Sequence, residues 1–336
     1  MKAAVFKALH APLEVQTVPD PEPGEGDVVI SVGRCGICGS DLHMSEQETF
    51  GAKGGDVFGH EFAGEVVALG KGAEGLAVGD LVAVSPLRSC GTCEHCAKGE
   101  PQWCSGFGLQ GGGYAEYALT RPYQCVKMPA DTSLDDGAMA EPLAVALHGV
   151  KLSGMERGDK VLILGGGPIG LSVAFWARQR GASKVVVQDV ADWQKERALS
   201  LGVDDFVVDR EDPVGAAERA LGGKADVVFE CVGVPGLIAQ AVQQVRNRGT
   251  ILLLGLCTVP DTLNTFAMLN KEVKLVTSAF LTMPDFQESL DVLGAGSVEP
   301  RLMITDTVGL DGAPEAFEAL KHRTHQCKTL IAPWAT

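Results

Sequence analysis

KVLILGGGPIGLSVAFWA, residues 160–177, decides the fold. Residues 160–164 form an unbroken apolar run, the pattern of a strand covered on both faces. A glycine turn follows, then an apolar helical stretch over 168–181. Gly165, Gly167 and Gly170 form a G-x-G-x-x-G pattern, with Pro168 and Ile169 between the last two. In this setting the first glycine permits a tight turn, the second lets the backbone approach a pyrophosphate, and the third lets helix pack closely on strand. The helix start then offers free N–H groups and a partial positive charge to phosphates. Read instead as a membrane span, the uncharged run Val161–Ala177 falls short of the ~20 apolar residues needed, and glycines and a proline break its centre.

Outward from this stretch the chain alternates. KVVVQD (184–189), a charged helical stretch around 192–201, DFVVD (205–209), ADVVFECVG (225–233), a helix near 236–246 and GTILLLGL (249–256) follow in order. Strand and helix in repeated alternation predict an α/β fold with a doubly wound parallel sheet. Asp189 ends the second strand, 24 residues after Gly165. A carboxylate there accepts hydrogen bonds from an adenosine ribose and repels a 2′-phosphate, which favours NAD over NADP. Before residue 150 the pattern differs. Short β-branched runs such as DVVISV (27–32), AGEVVALG (63–70) and DLVAVSP (80–86) read as a β-rich region without long helices. After about 295 the alternation is lost again.

A length of 336 residues suits two domains. The formal charge of −15 argues against binding to nucleic acid or anionic membranes. Residues 1–16 interrupt their apolar run with Lys7 and Glu14, unlike a secretory leader. Six of the ten cysteines fall between Cys35 and Cys104. Clustered cysteines without a leader point to metal ligands and the reducing cytoplasm rather than disulfides.

Two metal signals stand out. Cys90, Cys93, Cys96 and Cys104 follow a C-x2-C-x2-C-x7-C spacing, which suits a closed four-thiolate zinc site of structural kind. A bacterial iron–sulfur run begins alike but continues x3-C-P, whereas here seven residues intervene and Ser105 follows. The second signal is diffuse. GRCGICGSDLH (33–43) carries Cys38, GHE carries His60 and Glu61, and EPLAVALH (141–148) carries Glu141 and His148. Cys38, His60 and one carboxylate would make the three-ligand set of a catalytic zinc with an open fourth place. A thiol oxidoreductase using Cys35 and Cys38 would leave Asp41 and His43 unexplained, and its C-x-x-C opens a helix after a strand.

CGICGSDLH, GHEFAGEVVALG, GDLVAV, the four-cysteine lobe, GGGYAEYA, EPLAVALH and VLILGGGPIGL occur in that order across the chain. Together they resemble the zinc-dependent medium-chain alcohol dehydrogenase family. The resemblance implies a GroES-like β-rich catalytic domain over 1–147 and 296–336, with a structural zinc lobe at 88–106. It implies a Rossmann NAD-binding domain over 148–295. By the same resemblance Cys38 and His60 are catalytic zinc ligands. Glu141 stands where one branch has a third cysteine, and Glu61 binds zinc directly or exchanges with water. Ser40 receives the substrate proton, His43 relays it to solvent, Asp41 orients a ligand, and Cys35 is an apolar filler. Leu254 and Gly255 join the glycine loop and Asp189 as cofactor-binding positions. Gln194 occupies the place where the family often has an arginine against the adenine.

Glu141 marks the polyol, butanediol and threonine dehydrogenase-like branch. The implied reaction is reversible oxidation of an alcohol by NAD with two zinc ions per chain. The short segment after Cys104 and the apolar SAFLTM (278–283) weaken the case for a long, many-hydroxyl substrate, and the branch resemblance implies a secondary alcohol or vicinal diol. L-Threonine 3-dehydrogenase and sorbitol-like polyol dehydrogenase use the same machinery. An NAD-binding redox sensor is the non-enzymatic alternative. The resemblance implies a homodimer or homotetramer.

Overall fold

A computed structural model describes residues 1–335. The chain forms two compact units, Met1–Glu141 with Leu281–Thr336, and Pro142–Phe280.

The first unit is built on a seven-stranded sheet. Its central strand, Val28–Gly36, pairs antiparallel with Glu61–Leu69 and Tyr117–Thr120, and at its far end with Lys328–Ala332. Leu81–Val84 and Cys125–Lys127 extend the sheet on one side and Ile304–Gly309 on the other. Phe6, Ile30, Phe58, Phe62, Tyr114 and Phe317 fill the core against it. The register sets Glu61 opposite Gly36 and Leu330 opposite the same glycine. A Cβ on Gly36 would stand 2.0 Å from Glu61 Oε2, so a larger residue there would displace that carboxylate.

The second unit carries six strands, all parallel, in the order Asp205–Val207, Lys184–Gln188, Lys160–Leu164, Ala225–Glu230, Val245–Leu253, Lys274–Thr277. The first strand in the chain lies mid-sheet, so the winding reverses beside it, where open α/β sheets bind their ligands. Val161, Leu162 and Ile163 are fully buried, as a strand covered on both faces requires. Gly165, at φ +100°, makes the turn into the helix Pro168–Gln179. A Cβ on Gly170 would lie 1.9 Å from the Gly165 carbonyl oxygen, so helix and strand meet at a distance only glycine allows.

Three features differ from the sequence reading. A 20-residue helix, Leu134–Ser153, crosses the stretch expected to be β-rich. Ala138, Met139, Ala140, Leu143, Ala144 and Leu147 within it are all fully buried, so it shows no polar face to betray a helical period. A second helix, Pro213–Leu221, stands where no element was expected, started by the Asp212 carboxylate, which accepts from Gly215 N at 2.9 Å. The divisions between units fall at Glu141/Pro142 and Phe280/Leu281 instead of 147/148 and 295/296. The helix Met283–Gly294 packs within the first unit, where a Cβ on Gly294 would touch Pro129 at 2.7 Å. Among the described residues no helix is long and apolar enough to cross a membrane.

Candidate active site

The strand Val28–Gly36 delivers Cys38 to the start of a short helix, Gly39–Glu46, so the C-x-x-C does open a helix after a strand, and only the presence of Asp41 and His43 still speaks against a thiol oxidoreductase. Cys38 N donates to the Asp41 carboxylate at 3.1 Å, closing the first turn. The neighbouring strand Glu61–Leu69 begins at Glu61, with His60 just before it. Cys38, His60 and Glu61 each bring a ligand atom to within 4.8 Å of the others. His60 and Glu61 are buried. Thiol, imidazole and carboxylate, with the thiol half-buried, form a donor set that suits zinc. Cys35 is buried and is not part of this group, and burial, with Asp41 next, pushes its thiol well up.

Asp41 organises the cluster. One carboxylate oxygen lies 3.2 Å from His60 Nδ1, while the other accepts from Cys38 N and from the Tyr114 hydroxyl at 2.6 Å. Burial works to raise the Asp41 carboxyl; the charge and hydrogen bond of His60, with Tyr114 and Cys38 N, overcome it and hold it low. Burial likewise works to depress His60, yet Asp41 holds the imidazole well above its ordinary range. With Nδ1 committed to Asp41, Nε2 is the free ligand atom, and binding a cation there displaces a proton. Ser40 Oγ lies 3.5 Å from His60 Nε2. His43, one turn on from Ser40, has its Nδ1 3.2 Å from Gln47 Nε2. A cavity of about 450 Å³ has Asp41, Met44, Phe58, Gly59, His60 and Gln110 among its lining residues.

The two candidate carboxylates are held differently. Lys328 opens the strand Lys328–Ala332, which lies on the other side of Val28–Gly36 from Glu61, and places its ammonium 2.7 and 2.6 Å from the two oxygens of Glu61. Both residues are buried. Burial alone would lower the Lys328 ammonium; Glu61 reverses this and raises it. Glu141, on the helix Leu134–Ser153, lies outside the 4.8 Å group. Burial, opposed by His60 and reinforced by Glu61, pushes its carboxyl up to about 7. Sequence reasoning missed both Lys328 and Tyr114. A lysine opening the apolar strand KTLIA was the only signal for the first, and nothing distinguished the Tyr114 hydroxyl from another core aromatic.

Cys90, Cys93, Cys96 and Cys104 gather their sulfurs within 4.8 Å of one another. The Cys93–Cys96 and Cys90–Cys96 separations are 3.5 and 3.9 Å. A tetrahedron with zinc–sulfur bonds of 2.3 Å has edges of about 3.8 Å. Cys104 Sγ accepts from Cys90 N and Gly106 N at 3.3 and 3.2 Å. Hydrogen bonds from the Thr92 backbone and hydroxyl draw the Cys90 thiol down to about 6. The set fits a closed zinc site.

In the second unit the glycine loop leaves a cradle. A Cβ on Gly167 would meet nothing within 4 Å, so this backbone stands open to a ligand at the helix start. Asp189 follows the strand Lys184–Gln188, and its carboxylate accepts from Gly166 N at 2.7 Å and Val190 N at 2.6 Å. It therefore fixes the loop and still has lone pairs for a ribose diol. Gln194 is buried and accepts from Arg197. Leu254 N and Gly255 N both donate to the Glu230 carbonyl, at 2.8 and 2.9 Å. The Glu230 carboxylate in turn holds Val232 N and Gly233 N at 2.8 Å each. This second carboxylate-braced turn was not singled out from the sequence.

Residues 24–130 match the family described as alcohol dehydrogenase GroES-like domain, and residues 168–295 match the zinc-binding dehydrogenase family. The chain is 32% identical over 323 residues to sorbitol dehydrogenase of Bombyx mori, covering 92% of each. Among solved structures it is similar to 2R,3R-butanediol dehydrogenase of Bacillus subtilis, with a TM-score of 0.88 and 29% identity over 99% of both chains. It is similar also to a protein of Escherichia coli CFT073 described as a short chain alcohol dehydrogenase and complexed with NADH, with a TM-score of 0.90 and 29% identity over 99% of both chains.

Proposed function

The chain belongs to the zinc-dependent medium-chain alcohol dehydrogenase family, and from that premise we propose that it transfers a hydride between a secondary alcohol or vicinal diol and NAD. The observation that carries this reading is the group of half-buried Cys38 with buried His60 and Glu61, and Ser40 Oγ 3.5 Å from Nε2 of His60. When bound, zinc supplies a Lewis acid for the alcohol oxygen and NAD supplies the hydride acceptor.

The chain's own residues do the rest. Cys38, His60 and a carboxylate hold the metal. Glu61 is tethered by Lys328, while Glu141 has no hydrogen-bond or ion-pair partner among the described residues, so the two are offered to the cation on unequal terms. Ser40 Oγ takes up the proton of the alcohol, and His43 passes it to water. The Gly165–Gly170 loop receives the pyrophosphate and Asp189 the adenosine ribose. The four-cysteine lobe holds a second zinc, which keeps no open position and serves folding.

Likeness to the Bacillus butanediol dehydrogenase supports a short vicinal diol as substrate. Likeness to sorbitol dehydrogenase supports a polyol as the second reading, with L-threonine as a third candidate for the same machinery. The test is an NADH-linked screen of the zinc-loaded protein against 2,3-butanediol, sorbitol, L-threonine and simple secondary alcohols. We expect the highest kcat/KM with the butanediol. A preference for sorbitol or L-threonine would transfer the assignment to that substrate, and inactivity towards all four would contradict the substrate class.

A further inference from the structure

We propose that Tyr114 is a positioning residue for the catalytic metal site, acting through Asp41 on both Cys38 and His60. The proposal rests on the zinc reading above and extends it to a residue that touches no ligand atom itself.

Tyr114 is fully buried, and its hydroxyl has one described partner, the Asp41 carboxylate at 2.6 Å. The contact is a short O–H···O⁻ bond, the charge-assisted kind that is about twice as strong as a neutral one. Burial and the neighbouring Asp41 charge push the phenol well up, so it stays a donor. The oxygen it binds is the one that accepts Cys38 N at 3.1 Å, and the other oxygen lies 3.2 Å from His60 Nδ1. One carboxylate thus joins the backbone of one ligand to the ring of another, and Tyr114 pins that carboxylate from the far side.

The position of Tyr114 is itself enforced. Its ring meets Phe317 edge-on, with centroids 6.4 Å apart. It also presses on Gly59, at φ +88°, where a Cβ would lie 2.3 Å from the ring. Gly59 immediately precedes His60, so the ring and the hydroxyl constrain the same ligand from two directions. Phenylalanine would keep the ring contacts and remove only the hydroxyl. Without it, Asp41 loses its shortest hydrogen bond and gains torsional freedom, and with it the imidazole that must present Nε2 to the metal. Partners of this outer kind typically change metal affinity about 10–100-fold.

The test compares wild type, Tyr114→Phe, Asp41→Asn and the double variant, each loaded with zinc and then exposed to a chromophoric chelator. Wild type should release about two zinc ions in two phases, one per site, and the four-cysteine phase serves as an internal reference. In Tyr114→Phe one phase should quicken about 10-fold while the reference phase stays unchanged. The double variant should release that zinc no faster than Asp41→Asn alone, because the hydroxyl acts through the carboxylate. Cobalt substituted at the site should show a shifted ligand-field spectrum in Tyr114→Phe. Unchanged release and an unchanged cobalt spectrum would overturn the proposal. So would equal quickening of both phases, which marks loosened folding, or additive effects in the double variant. A wild-type protein that holds zinc only in the four-cysteine lobe would overturn the metal reading, and this proposal with it.

Discussion

At the scale of single residues the site depends on side chains that are each tied twice. Asp41 serves Cys38 and His60 together, and Asp189 braces the Gly166 and Val190 amides. The second case gives a sharp expectation. Replacing Asp189 with serine removes the charge that repels a 2′-phosphate. The ratio of kcat/KM for NADP to that for NAD should rise at least about 10-fold in Asp189→Ser. An unchanged ratio would show that some other group chooses the cofactor. Cys38, Ser40, His43 and His60 were open to a sequence reader because their types and order are distinctive. Lys328 and Tyr114 were hidden, because their importance lies in what the sheet register and the core bring them against. Lys328 is 267 positions from its carboxylate partner and Tyr114 is 73 from Asp41.

At the scale of elements, the strand–turn–helix at 160–179 was legible because each part has its own signal: a continuous apolar strand, glycines at set intervals, and Pro168 at the first helical position. The helix Leu134–Ser153 was not. It is apolar on all sides and carries Pro142 in its interior, so neither period nor propensity marks it. What starts it is a cap. Asp136 accepts from Ser133 N at 2.7 Å and from the Ser133 hydroxyl at 2.8 Å, and the Arg301 guanidinium forks onto the same carboxylate at 2.7 and 2.8 Å. Burial works to raise Asp136, but Arg301 and Ser133 prevail and hold it below the ordinary carboxylate value. A carboxyl lowered in the folded state adds stability that is complete above its unfolded pKa of about 3.9 and is lost as pH falls through the folded value. Asp136→Asn should therefore cost about 1.5–3 kcal/mol at pH 7 and weaken the acid-induced loss of stability below about pH 4. Denaturant unfolding from pH 7 to pH 2 checks this. Parallel curves for the two proteins, offset by a constant, would contradict it.

At the scale of the whole molecule, two units carry two kinds of site. The sheet of the first unit sets a thiol, an imidazole and a carboxylate side by side, and its cysteine lobe gathers four sulfurs nearby in sequence. The parallel sheet of the second unit opens a glycine loop beside its mid-sheet strand. Both plans were readable in outline, since one depends on metal-ligand spacing and the other on strand–helix alternation. The dividing points were less so, because the helix Met283–Gly294 continues the local pattern of the second unit while packing in the first. The central claim is that turnover needs the metal held by Cys38. The most direct measurement is NADH formation by Cys38→Ser, with zinc content and NAD binding determined on the same sample. Cys38→Ser should retain about one zinc per chain in the four-cysteine lobe, bind NAD close to wild type, and form no measurable NADH from any alcohol the wild type oxidises. Substantial NADH formation by a Cys38→Ser protein with no metal at that site would contradict it.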